Sequence, residues 1–226
     1  AYTRGVTAKR AKFINDYLYV DEKASEAVYN YFNQQFKFMD IPTHDNLIIE
    51  NYIDGEERHM LIFHTLYGRR VNDVLSRAIA FAIGRNQHRD VELGINDNGF
   101  YVSCDKKINI LQVIKLIKPN ELKQLLSLAI DKSEVLKRRF RHCASRAFMI
   151  LRNYKGRTKG VGRQQVSSML LMSAVKRINE NFCILKEARR EVLEDLMDIN
   201  NAIEIFSLIE SGKIKIKEIP TRIPSP

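Results

Sequence analysis

Two tight-turn signals in the first half of the chain constrain its fold more than any other feature. Asp54-Gly55 and Asn96–Gly99 each separate two short runs that are rich in β-branched and aromatic residues. Asp-Gly and Asn-Gly sequences close β-hairpins because they readily adopt the positive φ angles that tight turns need. We therefore predict two hairpins, which pair Leu47–Ile53 with Arg58–Leu66 and Val91–Ile95 with Phe100–Cys104.

The remainder of the chain shows mostly the periodicity of amphipathic helices. One helix is predicted from Asp21, its N-cap, to about Phe36, and another over Gly68–Ile83. Further helices are predicted over Ile108–Ile117, Glu121–Ile130, Ser133–Tyr154, Gly162–Asn179 and Phe182–Glu210, the last bent near Asp198–Asn200. Phe13–Val20 and Ile214–Ile219 have the composition of strands, the second at a sheet edge. These patterns predict a single α+β domain, with a strand-rich part over residues 1–105 and a helical part over residues 106–226.

The composition is that of a globular protein without membrane spans or disulfides. Hydrophobic residues make up 45% of the chain, and no window approaches the roughly 18 uncharged apolar residues of a transmembrane helix. The first ten residues contain no apolar segment, so no secretory signal is predicted. The chain begins at Ala1 without an initiator Met, which we interpret as a sign of processing or of a fragment. The cysteines (Cys104, Cys143 and Cys183) form no CxxC pair, so no disulfide framework or zinc site is predicted. We expect a reduced, cytoplasmic protein with no membrane partner.

Positive charge is concentrated in one segment of the chain. The formal net charge is +10, from 37 Lys and Arg against 27 Asp and Glu. Between Val135 and Asn179 there is no acidic residue, and that segment contains twelve basic ones. The rest of the chain has 25 basic and 27 acidic residues, a net charge of −2. Such a local excess is typical of a surface that binds a polyanion.

The predicted helix Ser133–Tyr154 carries the strongest signal for such a surface. An apolar stripe recurs along it at spacings of three and four residues, formed by Leu136, Phe140, Cys143, Ala147, Ile150, Leu151 and Tyr154. Arg138, Arg141 and Arg152 fall on the opposite side. An ordinary solvated face mixes in acidic residues at i±4, and this face has none. We interpret the arginines as a nucleic-acid contact, with an ordinary solvated face as the alternative.

The segment after that helix extends the basic surface. Lys155–Gly162 contains three glycines, which let a phosphate approach the backbone, and it precedes a predicted helix start. Gly68-Arg69-Arg70 is a lesser candidate of the same kind. The residues predicted to bind nucleic acid are Arg138, Arg141, Arg152, Lys155, Arg157, Lys159, Arg163, Arg69 and Arg70.

No catalytic or metal site is predicted. Leu18–Glu22 looks like a Walker B motif, but no phosphate loop of the form GxxxxGK(S/T) accompanies it, so Asp21 is interpreted as a helix cap. His59 and His64 lie five apart on a predicted strand and so point to opposite faces. Lys186–Asp198 has charges at helical ion-pair spacings, which is more typical of a structural or docking helix than of a binding surface.

Four motifs occur in a fixed order along the chain: His64–Ala78, Arg139–Ala144 with Leu151–Gly156, Glu187–Glu191, and the closing Pro224-Ser225-Pro226. Together they resemble the DEAD/H-associated region of Lhr-type (large helicase-related) superfamily 2 helicases, from about Tyr2 to the end. The resemblance implies a place after two RecA-like domains and a winged helix, in an ATP-dependent 3′→5′ helicase with an expected role in DNA repair. ATP and Mg²⁺ would bind in the motor domains, so no cofactor is expected in this chain.

We therefore expect a nucleic-acid-binding accessory domain of a helicase that acts on DNA or on an RNA–DNA hybrid. It would grip the translocated single strand and pack against the RecA-like and winged-helix domains of the same polypeptide. Two alternatives stay open. One is a free-standing protein that binds single strands or RNA, and the other is a nuclease or base-excision enzyme.

Overall fold

A five-stranded mixed sheet forms one layer of the computed structural model, which describes residues 14–87 and 91–224. Its strands are β1 (Asn46–Ile53), β2 (His59–His64), β3 (Glu92–Ile95), β4 (Gly99–Cys104) and β7 (Lys215–Pro220). Two further strands, β5 (Asn153–Tyr154) and β6 (Arg157–Thr158), form a separate hairpin. The sheet order is β3-β4-β2-β1-β7, and β7 pairs in parallel with β1 at the edge. Both predicted hairpins and the predicted edge strand are confirmed.

Helices make up most of the rest of the described chain, which confirms the α+β class. They are α1 (Glu22–Phe38), α2 (Arg69–Gln87), α3 (Ile110–Leu116), α4 (Leu122–Ile130), α5 (Glu134–Arg146), α6 (Val161–Ile178), α7 (Cys183–Arg190) and α8 (Ile199–Glu210). A 3₁₀ turn, Pro119–Glu121, precedes α4, and a π-helix, Glu191–Leu196, follows α7 directly. Within the described ranges, no helix combines the length and the apolar character that a membrane crossing requires.

One face of the sheet packs on the helices. Phe63 of β2 lies opposite Ile49 of β1 and Phe100 of β4, and the two phenylalanine rings stack with their centroids 4.3 Å apart. Alternate residues of the strands join a hydrophobic core that continues through α2 to α8 and includes Phe140 and Leu185. The subdivision of the chain at residue 105 stays a prediction.

The opposite face of the sheet is only partly covered. α1 lies against it, and Tyr31 and Phe32 line a groove of about 650 Å³ together with Met60, Ile62 and Tyr101 of the strands. The N-terminus of α1 is capped as predicted, since the Asp21 side chain accepts a hydrogen bond from the backbone N–H of Ala24 at 2.7 Å.

Two local predictions in the N-terminal half are wrong, one on the segment before α1 and one on the β1–β2 turn. Residues 14–18 are helical and not a strand, because aromatic composition alone does not decide between the two states. Phe13 lies outside the described residues. The positive φ of the first hairpin loop falls on Glu57 (61°) and not on Gly55, since Asp54 accepts hydrogen bonds from the backbone of Glu56 and Arg58, both at 2.9 Å. The loop is therefore longer than the predicted two-residue turn.

The helix predicted over Ser133–Tyr154 ends at Arg146 instead. Phe148 adopts a left-handed backbone (φ 56°), its N–H donates to the Ser145 carbonyl at 3.2 Å, and the Met149 N–H donates to the Ala144 carbonyl at 2.9 Å. This pattern is a Schellman motif, the usual way to satisfy the last carbonyls of a helix. No glycine marks the end in the sequence, so the apolar residues that follow were assigned to the same helix.

Beyond Arg152 the chain turns back in the β5–β6 hairpin. Its turn residues, Lys155 and Gly156, have φ angles of 48° and 73°, the positive pair that a two-residue type I′ turn requires. The Lys159 N–H donates to the Arg152 carbonyl at 2.8 Å and closes the hairpin at its base. A hairpin therefore replaces the predicted end of the helix and the start of the predicted loop. The Tyr154 side chain lies outside what the structure describes.

The motif His64–Ala78 joins the sheet to α2 through a buried amide. Asn72 accepts a hydrogen bond from the Thr65 hydroxyl at 2.6 Å and donates to the carbonyls of Asn96 at 3.1 Å and Asp97 at 3.2 Å. Gly68 precedes the helix at φ 80°, in the left-handed region that favours glycine. The motif thus ties the end of β2, the start of α2 and the β3–β4 turn together.

A buried carboxylate joins α5 to the π-helix. The Glu191 side chain is 5% exposed, accepts a hydrogen bond from Arg139 at 3.2 Å and binds Arg146 as well. Burial would raise the pKa of Glu191, but the hydrogen bond and charge of Arg146, a hydrogen bond with Cys143 and the charge of Arg139 outweigh it. Together they hold the pKa below its ordinary value of 4.5. The contact of Glu191 with Arg139 and Arg146 therefore determines which side of α5 faces the interior of the protein.

We expect Asn72→Ala to lower the free energy of unfolding by about 2 kcal/mol, since it leaves the Thr65 hydroxyl and two carbonyls unpaired in the interior. Urea unfolding followed by circular dichroism measures this. Asn200→Ala, at an exposed position in α8, is the matched control and should change little. Equal effects of the two substitutions would contradict the structural role of Asn72.

We expect Glu191→Gln to lower the free energy of unfolding at pH 7 by about 2 kcal/mol, because it leaves two arginines without their carboxylate. Since the folded-state pKa is lowered, this stabilisation is present above about pH 4.5 and is lost as the pH falls through the folded-state value. The difference between variant and wild type should therefore shrink in acid. Glu187→Gln, an exposed residue of the same helical segment, should leave stability nearly unchanged. If the difference in unfolding free energy between Glu191→Gln and wild type stayed constant with pH, the paired carboxylate of Glu191 would be contradicted.

Candidate nucleic-acid interface

The arginine face of α5 lines two adjoining grooves. Arg138 and Arg141 line the first, of about 210 Å³, opposite Val161, Gln165 and Met169 of α6. Arg138 also lines the second, of about 370 Å³, with other side chains of α5, Arg152 and Leu196. The two grooves therefore form one basic surface that passes over α5 at Arg138.

Positive charge dominates the second groove. Besides Arg138, its lining includes Arg139, His142, Arg146 and Arg152. Burial and then the neighbouring arginines (Arg141, Arg139, Arg152 and Arg146) hold the pKa of His142 below its ordinary value of 6.5. Burial is the larger cause of the lowered pKa, and the arginines that add to it give the groove a positive potential, which favours an anion.

The structure divides the basic residues of the acid-free segment into two groups. The first group is held by carboxylates: Lys137 by Glu134 at 2.6 Å, Arg139 and Arg146 by Glu191, and Lys176 by Asp131 at 2.7 Å. The second group has no ion pair with any carboxylate of the described chain and consists of Arg138, Arg141, Arg152, Arg157, Lys159, Arg163 and Arg177. Most of the predicted contacts thus keep their full charge for an external partner.

The β5–β6 hairpin places its cations beside the grooves. Arg157 and Lys159 are exposed, and the backbone bond between Lys159 and Arg152 joins the base of the hairpin to the second groove. Arg163 lies exposed in the first turn of α6, next to Gln164, whose side chain donates to the Lys159 carbonyl at 2.7 Å. The fold therefore brings Arg152, Lys155, Arg157, Lys159 and Arg163 into one continuous stretch of surface, although Arg152 does not lie on the helix as predicted.

Arg70 stabilises the end of the π-helix, a role that the sequence did not indicate. Its guanidinium donates to the carbonyls of Glu194 at 2.7 Å and Met197 at 3.1 Å, and so satisfies the end of the π-helix. Arg69 is exposed beside it and lines neither groove. The predicted contact at Gly68-Arg69-Arg70 is thus separate from the surface of α5, and we leave it out of the proposed interface.

The segment after α6 is ion-paired, as predicted. Arg190 binds Glu187 at 2.8 Å and Glu194 at 3.7 Å, and it also contacts Asp195 at 3.3 Å. The hydrogen bond from Arg190 is the main cause of the lowered pKa of Glu187. Arg189 is held by Asp131 at 3.0 Å. These arginines are paired within the molecule, as Arg139 and Arg146 are, whereas Arg138, Arg141 and Arg152 of the grooves have no ion pair with a described carboxylate.

The sequence did not identify Arg139 and Arg146 of this surface as candidates, nor the exposed Phe148 that lies between Arg146 and Arg152 in the chain. Arg139 and Arg146 line the second groove while they hold Glu191, 45 or more residues further along the chain, and no local pattern indicates that contact. Phe148 is 80% exposed in the segment that joins Arg146 to Arg152. The predicted helix placed it among ordinary helical residues, and the left-handed backbone could not be inferred from that pattern.

Among the described residues, this surface has neither a metal-binding cluster nor an activated thiol. In residues 14–87 and 91–224, no group of three or more His, Cys, Asp or Glu side chains is arranged to hold a metal ion. Burial, followed by the charge of Glu191, raises the pKa of the Cys143 thiol, which disfavours the reactive thiolate. His64 of β2 instead contacts the buried Glu50 of β1 at 3.0 Å, within the sheet.

The chain resembles known proteins along nearly its whole length. Residues 41–226 match the family model described as DEAD/H associated. The chain is 47% identical over 215 residues to the ATP-dependent helicase Lhr-Core of Methanothermobacter thermautotrophicus, a match that covers 95% of this chain and 25% of that protein. It is 44% identical over 208 residues to the Lhr-Core helicase of Sulfolobus acidocaldarius, over 90% of this chain and 24% of that protein. The chain therefore spans about a quarter of the length of these relatives.

A solved structure shows the same fold. It is the Mycobacterium smegmatis helicase Lhr bound to ssDNA and AMP-PNP, with a TM-score of 0.81 and 22% identity, over 100% of this chain and 29% of that one. The fold, the family model and the close archaeal relatives agree with the motifs that begin at His64. The chain belongs to the DEAD/H associated family of Lhr-type helicases.

Proposed function

We propose that this domain grips a single strand of DNA through the two grooves on α5 and the β5–β6 hairpin. The observation that carries the proposal is the set of cations there that no described carboxylate neutralises, in a segment without acidic residues. Guanidinium groups suit phosphates because they offer several donors in a plane. The complex with ssDNA of the related mycobacterial helicase supports the choice of strand.

In this proposal the chain is one part of a longer ATP-driven enzyme. The domain supplies no catalytic group, and its task is to keep the strand in place while motor domains elsewhere in the polypeptide use ATP. Phosphate contacts suit such a task because they hold any sequence equally and can be exchanged one at a time.

A second surface suits contact with other domains of the same polypeptide. α1 exposes the aromatic side chains Tyr31, Phe32, Phe36 and Phe38 beside the groove on the sheet. Contiguous exposed apolar residues of this kind mark interaction surfaces. We propose that this face packs against the RecA-like or winged-helix domains, while the basic surface of α5 stays open to the strand.

The salt dependence of strand binding tests the proposed grip. Log affinity for a single strand falls with log salt by about 0.7 per phosphate contact, since each contact releases counterions. We expect Arg138→Ala, Arg141→Ala, Arg152→Ala, Arg157→Ala and Lys159→Ala each to flatten that slope by about one contact, equally for strands of different base sequence. Fluorescence anisotropy with a labelled oligonucleotide at several salt concentrations measures the slope.

Arg190→Ala is the matched control for this experiment. It removes the same charge from an exposed arginine, but one that Glu187, Glu194 and Asp195 already hold, so the slope should not change. Wild-type binding without salt dependence, or a slope that responds to Arg190→Ala and not to the groove substitutions, would overturn the proposal.

A further inference from the structure

Phe148 occupies a backbone position that normally excludes large side chains. It is the residue after the C-cap Ala147 in the Schellman motif of α5, with φ at 56°. Glycine is the usual residue there, because a Cβ atom is crowded in the left-handed conformation. A phenylalanine in this conformation is a clear outlier for a bulky residue.

The phenyl ring of Phe148 contributes little buried surface to the fold. Phe148 is 80% exposed, so burial of the ring does not offset the strained backbone. The hydrogen bonds of the Schellman motif are donated by the backbone N–H groups of Phe148 and Met149, and a glycine at position 148 would donate its bond equally well. A strained residue that the surrounding structure does not need points to a role outside the fold.

The neighbours of Phe148 indicate what its partner is. It follows Arg146 by two residues and precedes Arg152 by four, and both arginines line the second groove. Proteins that hold single strands combine cations for the phosphates with aromatic rings for the bases. A ring at this place can stack only on a base that is unpaired, since bases within a duplex already stack on each other.

We propose that Phe148 stacks on an unpaired base of the strand whose phosphates lie in the basic grooves. The inference rests on the proposed grip and adds a contact that distinguishes single strands from duplexes. Arg152, which has no ion pair among the described residues, and the positive potential of the second groove favour a polyanion over an apolar protein surface as the partner.

Tyr19 provides a matched comparison within the same chain. It is 93% exposed and also has a positive φ, of 52°, at the end of the helical segment 14–18. Its charged neighbours in the chain are mainly acidic (Asp16, Asp21 and Glu22, with Lys23), and no arginine lies among them. Exposure and backbone strain alone therefore do not identify a base-binding ring, and the arginines beside Phe148 make the difference.

Binding to two strands of equal length tests the proposal, one with bases and one with abasic sites throughout. We expect Phe148→Gly to weaken binding to the first by about 5- to 100-fold and to leave binding to the abasic strand and both salt slopes unchanged. Phe148→Trp should retain the affinity, and Tyr19→Gly should alter neither. Because Phe148→Gly relieves the strained backbone, its thermal midpoint should rise by about 2–4 °C.

The possible results separate the two proposals. If wild type shows no salt-dependent binding to either strand, the grip fails, and base stacking fails with it. If salt dependence is present but Phe148→Gly binds both strands like wild type, or weakens both equally, the stacking is overturned and the grip stands. A lower thermal midpoint of Phe148→Gly would mean that the ring packs within the protein, which also overturns the stacking.

Discussion

The buried carboxylate of Glu191 holds the architecture of the basic surface in place. A carboxylate removed from water must be paired, and Glu191 is paired by two arginines that both belong to α5. Arg139 and Arg146 lie seven residues apart, two turns of the helix, so the contact fixes both the rotation of α5 and its position along the π-helix. Once α5 is fixed in this way, Arg138 and Arg141 must face the grooves. The same ion pairs that stabilise the fold therefore orient the arginines that remain available for a strand.

This arrangement explains what the sequence could and could not reveal about the site. Charge patterning located the segment correctly because the absence of acidic residues is a local property. Helical periodicity then set Arg138 apart from Arg139, but the pairing of Arg139 with Glu191, 52 residues away, could not be inferred from any local pattern. Arg70 shows the same limit, since its guanidinium serves the carbonyls of Glu194 and Met197, far along the chain. Whether a cation is available is a property of the tertiary structure.

The sequence predicts much of the fold where local chemistry decides the backbone, although not the β5–β6 hairpin with its Lys155-Gly156 turn. The hairpins and the cap at Asp21 depend on residues within a few positions of each other, and these predictions were confirmed. The end of α5 failed for the opposite reason. Ala147 to Leu151 continue a helical apolar pattern, and Ile150 is buried as that pattern indicates, yet the chain leaves the helix at Phe148. A helix that ends in a strained residue carries no stop signal in its sequence.

The strained end of α5 also has a consequence for how the domain meets its partners. If the helix continued to Tyr154, as its periodicity predicts, Arg152 would lie on the same helix face as Arg138, further along the helix, and the β5–β6 hairpin would not form. Instead the chain reverses within a few residues, so Arg152 returns to the groove and the hairpin adds Arg157 and Lys159 on its flank. The surface thereby becomes wider than a single helix face, which suits a strand that must be held by several phosphates at once. The exposed aromatic residues of α1 belong to the other layer, against the open face of the sheet. If both surfaces act as proposed, their place on different elements allows the chain to contact a protein and a nucleic acid without competition between them.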